Sequence, residues 1–491
     1  MFRANGVVVL SNSMSETQSN LGWHALLNLD EQPPGPRWAR LAHAVRSSIR
    51  SGALAAGSVL PPSRLLAADL GCSRWTVTEA YQQLVAEGYL QARVGSGTRV
   101  AWREGTGRPG RTVAAEPAGR TGIDLAPGLP DLRAFPLDRW LAALRTAAAA
   151  LPHRQFGYPT RGGEPRLRQV LADYLGRVRG AVVHPDDVTV CSGVTDAVTR
   201  LSSVACAAGV GTVAVEDPGW TRLREAIAAT GMRVVPVPVD HSGIRVDVLA
   251  RLDQVRIVVV SPAHQFPTGV VLAPDRRAQL LDWARRVDGM VVEDDYDAEF
   301  RYDRRPVGAM QGAAADRVAL TGSLSKTLSP ALGLGWLVTP QRWTSPVRAV
   351  PRAIAPGVLD QLALAEFIGS GGYDRHLRAA RKRYRDRRDT LLTALAEQLP
   401  QFPVAGVAAG LHLLLLLGGR SRIGAAEVVR RAAASGLRIG CVRQYRLDNR
   451  TLDDALVLGY GNLGDREVEH AVSLLAAAIG SRRGPVAPTA R

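Results

Sequence analysis

Two different spacings of apolar residues divide the 491-residue chain into two parts. In residues 37–52, RWARLAHAVRSSIRSG, apolar side chains recur every three or four positions, which predicts an amphipathic helix that ends at the glycine. After residue 122, short and nearly all-apolar runs rich in β-branched residues alternate with helical stretches. This alternation predicts an α/β fold in which helices cover both faces of a mostly parallel sheet.

The first part contains the pattern of a helix-turn-helix. Residues 61–71, PPSRLLAADLG, end in a glycine suited to the C-terminus of a helix, and Ser73 can cap the helix that follows. The alternating residues 89–101 turn at glycines and predict a small β-wing. If the first turn of the second helix enters the major groove, Ser73, Arg74 and Thr76 reach phosphates and base edges. The alternative is a three-helix protein-interaction module whose arginines lie on a solvated face.

Residues 101–122, AWREGTGRPGRTVAAEPAGRTG, have neither helical nor strand spacing and are rich in glycine, proline and arginine. They predict a flexible linker. We therefore expect a winged helix-turn-helix domain, mainly helical with a small β-wing, over residues 30–100. A larger α/β domain is expected over residues 123–482.

Composition narrows the class of protein. The net charge of +16, from 61 basic and 45 acidic residues, is compatible with a nucleic-acid partner but does not locate its site. The longest apolar run, LHLLLLL at 411–417, is too short to cross a membrane and predicts a buried strand. The four cysteines are scattered, and the first residues do not form a signal peptide. We expect a cytoplasmic protein with no membrane partner.

The chain has 59 arginines but only two lysines, Lys326 and Lys382. Arginine can serve at most surface positions, whereas a lysine can lose its proton and attack a carbonyl to form a Schiff base. Lys326 lies in TGSLSK, directly after a predicted strand, and is therefore the candidate nucleophile. The alternative is a solvated surface charge.

Other predicted strands end in residues that complete one kind of site. A glycine that opens a helix offers backbone N–H groups to a phosphate, an aromatic side chain can stack on a flat ring, and a carboxylate can keep a ring nitrogen protonated. The residues that follow the five strands are Gly193, Trp220, His264, Asp294, Tyr296, Ser323, Ser325 and Lys326. Together they describe a pyridoxal 5′-phosphate (PLP) site in which the lysine forms an aldimine.

Simpler explanations exist for several of these residues. Trp220 could pack between structural elements, and Asp294 with Asp295 could cap a helix or bind a metal. No histidine or further carboxylate cluster accompanies the two aspartates at ligand spacing, so we expect no metal site. The basic run at 375–388 could bind nucleic acid, although charges at such helical spacing usually form a solvated face.

The first part closely resembles the winged helix of the GntR family of bacterial transcription regulators. The match covers roughly residues 37–100 and rests on LPPSR, SRWTV, AY and EGYL. The resemblance implies that Arg64 and the wing residues Arg93 and Gly95 join the three helix residues in contacting an operator.

The second part resembles the fold type I aminotransferases, and the whole chain resembles the MocR/GabR-type regulators over about residues 37–480. The most specific motifs are EDDYDAEFRY, HQFPTG and SKTLSPALGLGW. The resemblance implies that Lys326 is the Schiff-base lysine and that Asp294 binds the pyridine nitrogen. It also implies that Tyr296 binds the ring hydroxyl, with His264 beside it.

The same resemblance implies the remaining contacts of the cofactor. Trp220 would stack on the ring, where many relatives have tyrosine. Phosphate contacts would come from two strand ends and from the second subunit of a homodimer: Gly193, Val194, Thr195, Ser323 and Tyr158 of the partner subunit.

Two positions depart from the family's pattern. Relatives carry an arginine seven residues after the lysine, where this chain has Gly333. Members that handle amino acids also need a C-terminal arginine for the substrate carboxylate. Near DALVLGYG that position holds Leu456 or Val457, and Arg443 or Arg446 could take over the role. Both departures weaken the case for efficient transamination.

The sequence therefore predicts a PLP-dependent transcription regulator. The winged helix would bind operator DNA, while the larger domain would dimerise and sense PLP, or the aldimine of PLP with an amine or amino acid. PLP is the expected effector, because it carries no amino-acid carboxylate, and transamination is expected to be negligible. The alternative is a PLP-dependent aminotransferase with a DNA-binding head. A cofactor-free scaffold fits poorly with the intact Lys326 and Asp294.

Overall fold

The computed structural model describes residues 22–93, 97–102, 122–302, 307–351, 355–447 and 454–480. Contacts divide the chain into two compact units, Met1–Ala118 and Gly119–Arg491. Gly95 and most of the predicted linker, residues 103–121, lie outside the described residues.

The first unit combines helices with a three-stranded sheet of strand order β1-β3-β2. Its helices are α1 (Trp23–Leu27), α2 (Arg37–Arg50), α3 (Ser63–Asp69) and α4 (Arg74–Ala86). Its strands are β1 (Val59–Leu60), β2 (Leu90–Arg93) and β3 (Gly97–Val100). Leu41 and Val45 of α2 are buried with Val77 and Leu84 of α4 in one cluster. Helices α3 and α4 form the predicted helix-turn-helix, and Gly71 between them has a φ of +57°, which favours glycine.

An eight-stranded sheet forms the centre of the second unit, with the strand order β5-β12-β11-β10-β9-β6-β7-β8. The strands are β5 (Val188–Cys191), β6 (Thr212–Asp217), β7 (Arg233–Asp240), β8 (Gly243–Ile244), β9 (Ile257–Val260), β10 (Met290–Asp295), β11 (Val318–Ser323) and β12 (Gly335–Val338). Strands β6, β7, β9, β10 and β11 are parallel, and β12 and β8 run antiparallel to their neighbours. The prediction of a mostly parallel sheet is confirmed.

Helices cover both faces of this sheet. The helices of the second unit are α5 (Leu137–Ala149), α6 (Pro165–Arg179), α7 (Val194–Ala207), α8 (Thr221–Ala228), α9 (Val246–Leu249), α10 (Pro274–Arg286), α11 (Gln341–Ala349), α12 (Val358–Gly369), α13 (Gly372–Gln398), α14 (Ala425–Ala434) and α15 (Val468–Ile479). Consecutive residues of β11 point to opposite faces: Ala319 packs with residues of α7 and α8, and Leu320 packs with residues of α6 and α12. No helix in the described ranges is both long and apolar enough to span a membrane.

A smaller antiparallel sheet lies in the C-terminal part of the second unit. It contains β13 (Val404–Ala405), β14 (His412–Leu416), β16 (Gly440–Cys441) and β17 (Ala455–Gly459), while β15 (Leu437–Arg438) pairs with β4 (Ile123–Asp124). The buried strand predicted at 411–417 is β14.

The basic run at 375–388 lies in α13, and part of it is internal rather than solvated. The guanidinium of Arg387 is buried and donates to Asp131 at 2.9 Å and to Asp465 at 2.8 Å. Arg381 donates to the carbonyl oxygen of Glu299. These arginines hold α13 against the rest of its unit, whereas Arg375, Arg378, Lys382 and Arg385 of the same run are exposed.

Candidate functional site

Five strand ends meet at one edge of the central sheet. Strands β5, β6, β9, β10 and β11 run in the same direction, so the residues that follow them lie at the same edge. These residues surround a cavity of about 700 Å³. Nine residues predicted from the sequence line it: Gly193, Val194, Thr195, Trp220, Asp294, Tyr296, Ser323, Ser325 and Lys326.

One wall of the cavity offers backbone donors to an anion. Helix α7 begins directly after Gly193, whose φ of +139° favours glycine. The N–H groups of Val194 and Thr195 lie in the first turn, where a helix provides no acceptor of its own. Ser323 lines the same cavity from the end of β11. Such a set of donors suits a phosphate.

Lys326 lies three residues after β11, and its Nζ contacts the carbonyl oxygen of Gly128. Burial lowers the pKa of Lys326 below its usual range, while the negative charges of Asp297 and Asp294 oppose that shift. A lysine with a lowered pKa is more readily deprotonated than a surface lysine, as a nucleophilic amine must be.

Asp294 and Asp295 are consecutive residues of β10 and serve different partners. Oδ1 of Asp294 is buried in the cavity, and no group in the described part of the chain donates a hydrogen bond to it. Burial, followed by the charges of Asp295 and Asp297, raises the pKa of Asp294 to about 7. Asp295 instead binds Arg179 bidentately, with Nε–Oδ2 and Nη2–Oδ1 distances of 2.7 and 3.1 Å. A ligand with a hydrogen-bond donor would therefore satisfy the buried oxygen of Asp294.

His264 lies against the cavity without lining it. Its Nδ1 is 2.9 Å from Oδ2 of Asp297 and 3.1 Å from the hydroxyl oxygen of Tyr296. Its Nε2 is buried and has no hydrogen-bond partner among the residues described. His264 thus contacts two residues that line the cavity, Asp297 and Tyr296.

Several titratable residues of the cavity were not predicted from the sequence, among them Glu216, Arg222, Asp297 and His412. Burial raises the pKa of Glu216 to about 8. Asp297 follows Asp294 by three residues, and Arg222 follows Trp220 by two. Their closeness in the sequence to predicted site residues was therefore the signal that could have identified them. His412 comes from the distant strand β14, and nothing in the sequence connects it to the site.

The side chains of His264, Asp297 and His412 offer ligand atoms that all lie within 4.8 Å of one another. The chain could hold a metal ion there, whereas no metal site was expected from the sequence. That expectation considered only the residues near Asp294 and Asp295, and it could not foresee that β14 brings His412 to the same place. Nδ1 of His264 is already engaged by Asp297.

The positions that depart from the family's pattern offer no arginine to the cavity. A side chain at Gly333 would meet open space, but the φ of +53° there is strained for any residue other than glycine. Leu456 and Val457 are both buried in apolar clusters. Neither Arg443 nor Arg446 lines the cavity, and Nη1 of Arg446 lies 3.8 Å from Asp217. Tyr158 does not line it either and is fully exposed.

In the first unit, most predicted DNA contacts lie on the surface. Arg64, Ser73, Arg74 and Arg93 are exposed. Ser73 caps α4, because its Oγ accepts a hydrogen bond of 3.1 Å from the backbone N–H of Thr76. Thr76 itself is only 6% exposed, and its hydroxyl lies 2.9 Å from that of Ser73. The assignment of Thr76 to the DNA surface is therefore corrected: its side chain belongs to the cap.

Known proteins resemble both units. The family model of the bacterial regulatory proteins of the gntR family matches residues 38–100, and that of the class I and II aminotransferases matches residues 120–443. Among solved structures, an archaeal alanine:glyoxylate aminotransferase superposes with a TM-score of 0.67 at 23% identity, covering 74% of this chain and 91% of that one. A Pyrococcus horikoshii kynurenine aminotransferase superposes with a TM-score of 0.66 at 25% identity, covering 73% and 91%.

Two curated relatives match most of this chain. The probable rhizopine catabolism regulatory protein MocR of Rhizobium meliloti is 35% identical over 76% of this chain and 80% of its own length. The pyridoxine biosynthesis transcriptional regulator PdxR of Corynebacterium glutamicum is 32% identical over 89% of this chain and 96% of its own length. With a winged helix, an aminotransferase-like unit and such relatives, the chain belongs to the MocR/GabR-type transcriptional regulators.

Proposed function

We propose that the aminotransferase-like unit binds PLP and that this binding controls how tightly the winged helix binds operator DNA. The observation that carries the proposal is the pairing of two groups in one cavity. Lys326 is a lysine with a lowered pKa, and Asp294 is a buried carboxyl with an oxygen that lacks a donor in the described structure. When bound, PLP supplies an aldehyde that an amine can attack and a ring that withdraws electrons.

The proposed roles follow from the lining of the cavity. Lys326 would bind PLP covalently, and Asp294 would accept a hydrogen bond from the ring nitrogen. Trp220 would stack on the ring, while Tyr296, backed by His264, would hold the ring hydroxyl. The phosphate would lie against Ser323 and the first turn of α7.

A homodimer would complete both the cofactor site and the DNA-binding surface. The full exposure of Tyr158 supports its use in a second copy of the chain, where Tyr158 of the partner subunit would contact the phosphate. Two winged helices on one dimer would bind two operator half-sites, with Arg64, Ser73, Arg74, Arg93 and Gly95 as the contact residues. Such a protein would act in the cytoplasm.

PLP itself is the proposed effector, and transamination is proposed to be negligible. Neither Leu456 nor Val457 offers a charge to a substrate carboxylate, and Gly333 offers none to the phosphate, so the site suits a ligand that must leave when it is scarce. A relative named as a pyridoxine biosynthesis regulator supports this effector, although another is named as a regulator of rhizopine catabolism.

The test is PLP-dependent DNA binding by the full chain. DNA selected from a random pool by the purified protein serves as the probe, and its dissociation constant is measured with and without PLP. We expect PLP to change this constant for the wild type and for Lys382→Ala, which removes the exposed second lysine, but not for Lys326→Ala. An equal response in Lys326→Ala would contradict the proposal. Rapid conversion of bound PLP to pyridoxamine phosphate by a common amino acid would favour the aminotransferase instead.

A further inference from the structure

Lys326 lies in a turn that its own backbone bonds define only in part. The N–H of Leu328 donates to the carbonyl oxygen of Leu324 at 2.8 Å, and the N–H of Ser329 donates to the same oxygen at 3.0 Å. Residues 325–327 lie within this turn, after the end of β11 and outside any helix. Contacts from other elements therefore contribute to the geometry of the backbone that carries the lysine.

Thr327, the residue directly after Lys326, receives two such contacts from α13. The hydroxyl of Tyr373 donates to Oγ1 of Thr327 at 2.9 Å, and Nε2 of His376 lies 2.8 Å from the carbonyl oxygen of Thr327. A carbonyl oxygen can only accept, so Nε2 carries a proton and donates it. The two donors are three residues apart and lie on one face of the helix. They hold Thr327 by both its side chain and its backbone.

The helix that carries these donors is itself fixed. Tyr373 is 1% exposed, and its ring packs against Tyr174 and Phe367, with centroid distances of 5.4 and 6.3 Å. Further along α13, Arg387 donates to Asp131 at 2.9 Å. A donor locked by packing in this way fixes the position of the group that it binds.

Tyr373, His376 and Thr327 do not line the cavity, whereas Lys326 does. The two donors therefore affect the cavity through the turn rather than through a contact with a ligand. A nucleophile must lie about 3–3.5 Å from the atom that it attacks, and a displacement of about 1 Å can slow a reaction about a hundredfold. The position of the turn thus matters for the amine of Lys326.

We propose that Tyr373 and His376 are positioning residues that hold Lys326 for its attack on an aldehyde in the cavity. The inference rests on the proposed function, in which the neutral amine forms a carbon–nitrogen double bond with PLP. The aldehyde oxygen leaves as water with the two protons of the amine. Because Tyr373 and His376 act through Thr327, they set the rate of this step and not the non-covalent binding of the ring and the phosphate.

The experiment compares Tyr373→Phe and His376→Leu with the wild type and with Tyr384→Phe. Tyr384 is the matched control, because it is a buried tyrosine of the same helix whose hydroxyl accepts a hydrogen bond of 2.9 Å from the backbone N–H of Asp131. Asp131 is also held by Arg387, so Tyr384→Phe removes a buried hydroxyl without releasing the segment that it contacts.

Excess PLP is mixed with the ligand-free full chain, and the growth of the visible band gives the rate constant for bond formation with Lys326. A hydrogen bond of this kind corresponds to roughly threefold to tenfold. We expect Tyr373→Phe and His376→Leu to be slowed by that factor and Tyr384→Phe to react as fast as the wild type. His376→Gln keeps a donor for the carbonyl oxygen of Thr327, so it should be slowed less than His376→Leu.

A second ligand separates positioning from a general effect on the site. Pyridoxine 5′-phosphate has an alcohol in place of the aldehyde and cannot bond to the lysine. Its dissociation constant, measured by tryptophan fluorescence, should be the same in Tyr373→Phe, His376→Leu and the wild type. Thermal melting of the ligand-free proteins verifies that all of them are folded under the conditions of the assay.

The inference is overturned if Tyr373→Phe and His376→Leu react as fast as the wild type, or if Tyr384→Phe is slowed equally. It is also overturned if pyridoxine 5′-phosphate loses as much affinity as the reaction loses rate, because the two residues would then support the whole site. Equal slowing in His376→Gln and His376→Leu would remove His376 from the assignment. Failure of the proposed function looks different, since the wild type itself would then form no visible band with PLP.

Discussion

Asp297 and His264 form a buried hydrogen bond in which Oδ2 lies 2.9 Å from Nδ1, with side chains that are 1% and 2% exposed. A carboxylate next to Nδ1 keeps the proton on that nitrogen and fixes the orientation of the ring. Asp297 also acts on Lys326, because its negative charge raises the pKa of the lysine against the effect of burial. One carboxylate thus supports both the histidine and the nucleophile.

Replacing Asp297 by asparagine should therefore change the titration of the bound cofactor. The neutral amide no longer favours the protonated nitrogen at Lys326, so the pH midpoint of the visible band of the PLP complex should fall by about one unit or more. Absorbance is recorded between pH 5 and pH 9. Asp275→Asn, which removes an exposed carboxylate of the same unit, should leave the midpoint in place. An unchanged midpoint in Asp297→Asn would separate Asp297 from the cofactor.

Gly333→Arg tests whether the missing arginine explains loose binding of PLP. A guanidinium there should tighten PLP binding roughly tenfold and blunt the response of DNA binding to PLP concentration. The substitution also places a side chain at a φ of +53°, which costs about 1–2 kcal/mol of stability. Gly333→Ala carries that cost without the charge, so it should lower the melting temperature while PLP affinity stays the same. Equal affinities for all three proteins would contradict this account.

Arg74→Ala addresses the DNA contact of α4. We expect a loss of roughly 1–3 kcal/mol in operator binding with relaxed specificity if Arg74 contacts a base, and a smaller, sequence-independent loss if it contacts phosphate. Arg251→Ala, an exposed arginine of the other unit, should have no effect. The dissociation constants of the wild type and both variants for operator DNA are measured by anisotropy at physiological salt. Wild-type affinity in Arg74→Ala would remove this residue from the interface.

Asp294 should make the ligand-free protein less stable as pH rises. Its pKa is about 7 in the folded protein and has the ordinary value of 3.8 in the unfolded chain, so between these pH values the folded state holds a proton that the unfolded state has released. Rising pH then favours unfolding. The melting temperature should fall between pH 5 and pH 8, and Asp294→Asn should reduce this fall. Glu216, whose pKa is raised to about 8, should maintain part of it. An unaltered slope in the variant would exclude Asp294 as a source.

The five strand ends could be predicted from the sequence because each strand is a short apolar run with a polar residue directly after it. The carboxyl ends of parallel strands meet, so Trp220, Asp294 and Lys326 could be brought together without coordinates. His412 could not be found in this way, since an antiparallel strand far along the chain carries it to the site. Thr76 was misjudged because a residue in the first turn of a helix can serve either the cap or a partner, and spacing does not distinguish the two.

The bidentate contact between Arg179 and Asp295 predicts which mutations a genetic screen would recover. Neighbouring residues of a strand point to opposite faces, so whatever holds Asp295 on one face also sets the aim of Asp294 on the other. Loss of Arg179 would leave the buried carboxylate of Asp295 unpaired and change the orientation of the end of β10. Arg179 is the last residue of α6, a helix that contributes no residue to the lining of the cavity. A screen for alleles that still bind DNA but ignore the effector should therefore recover changes at Arg179, a residue that does not line the cavity.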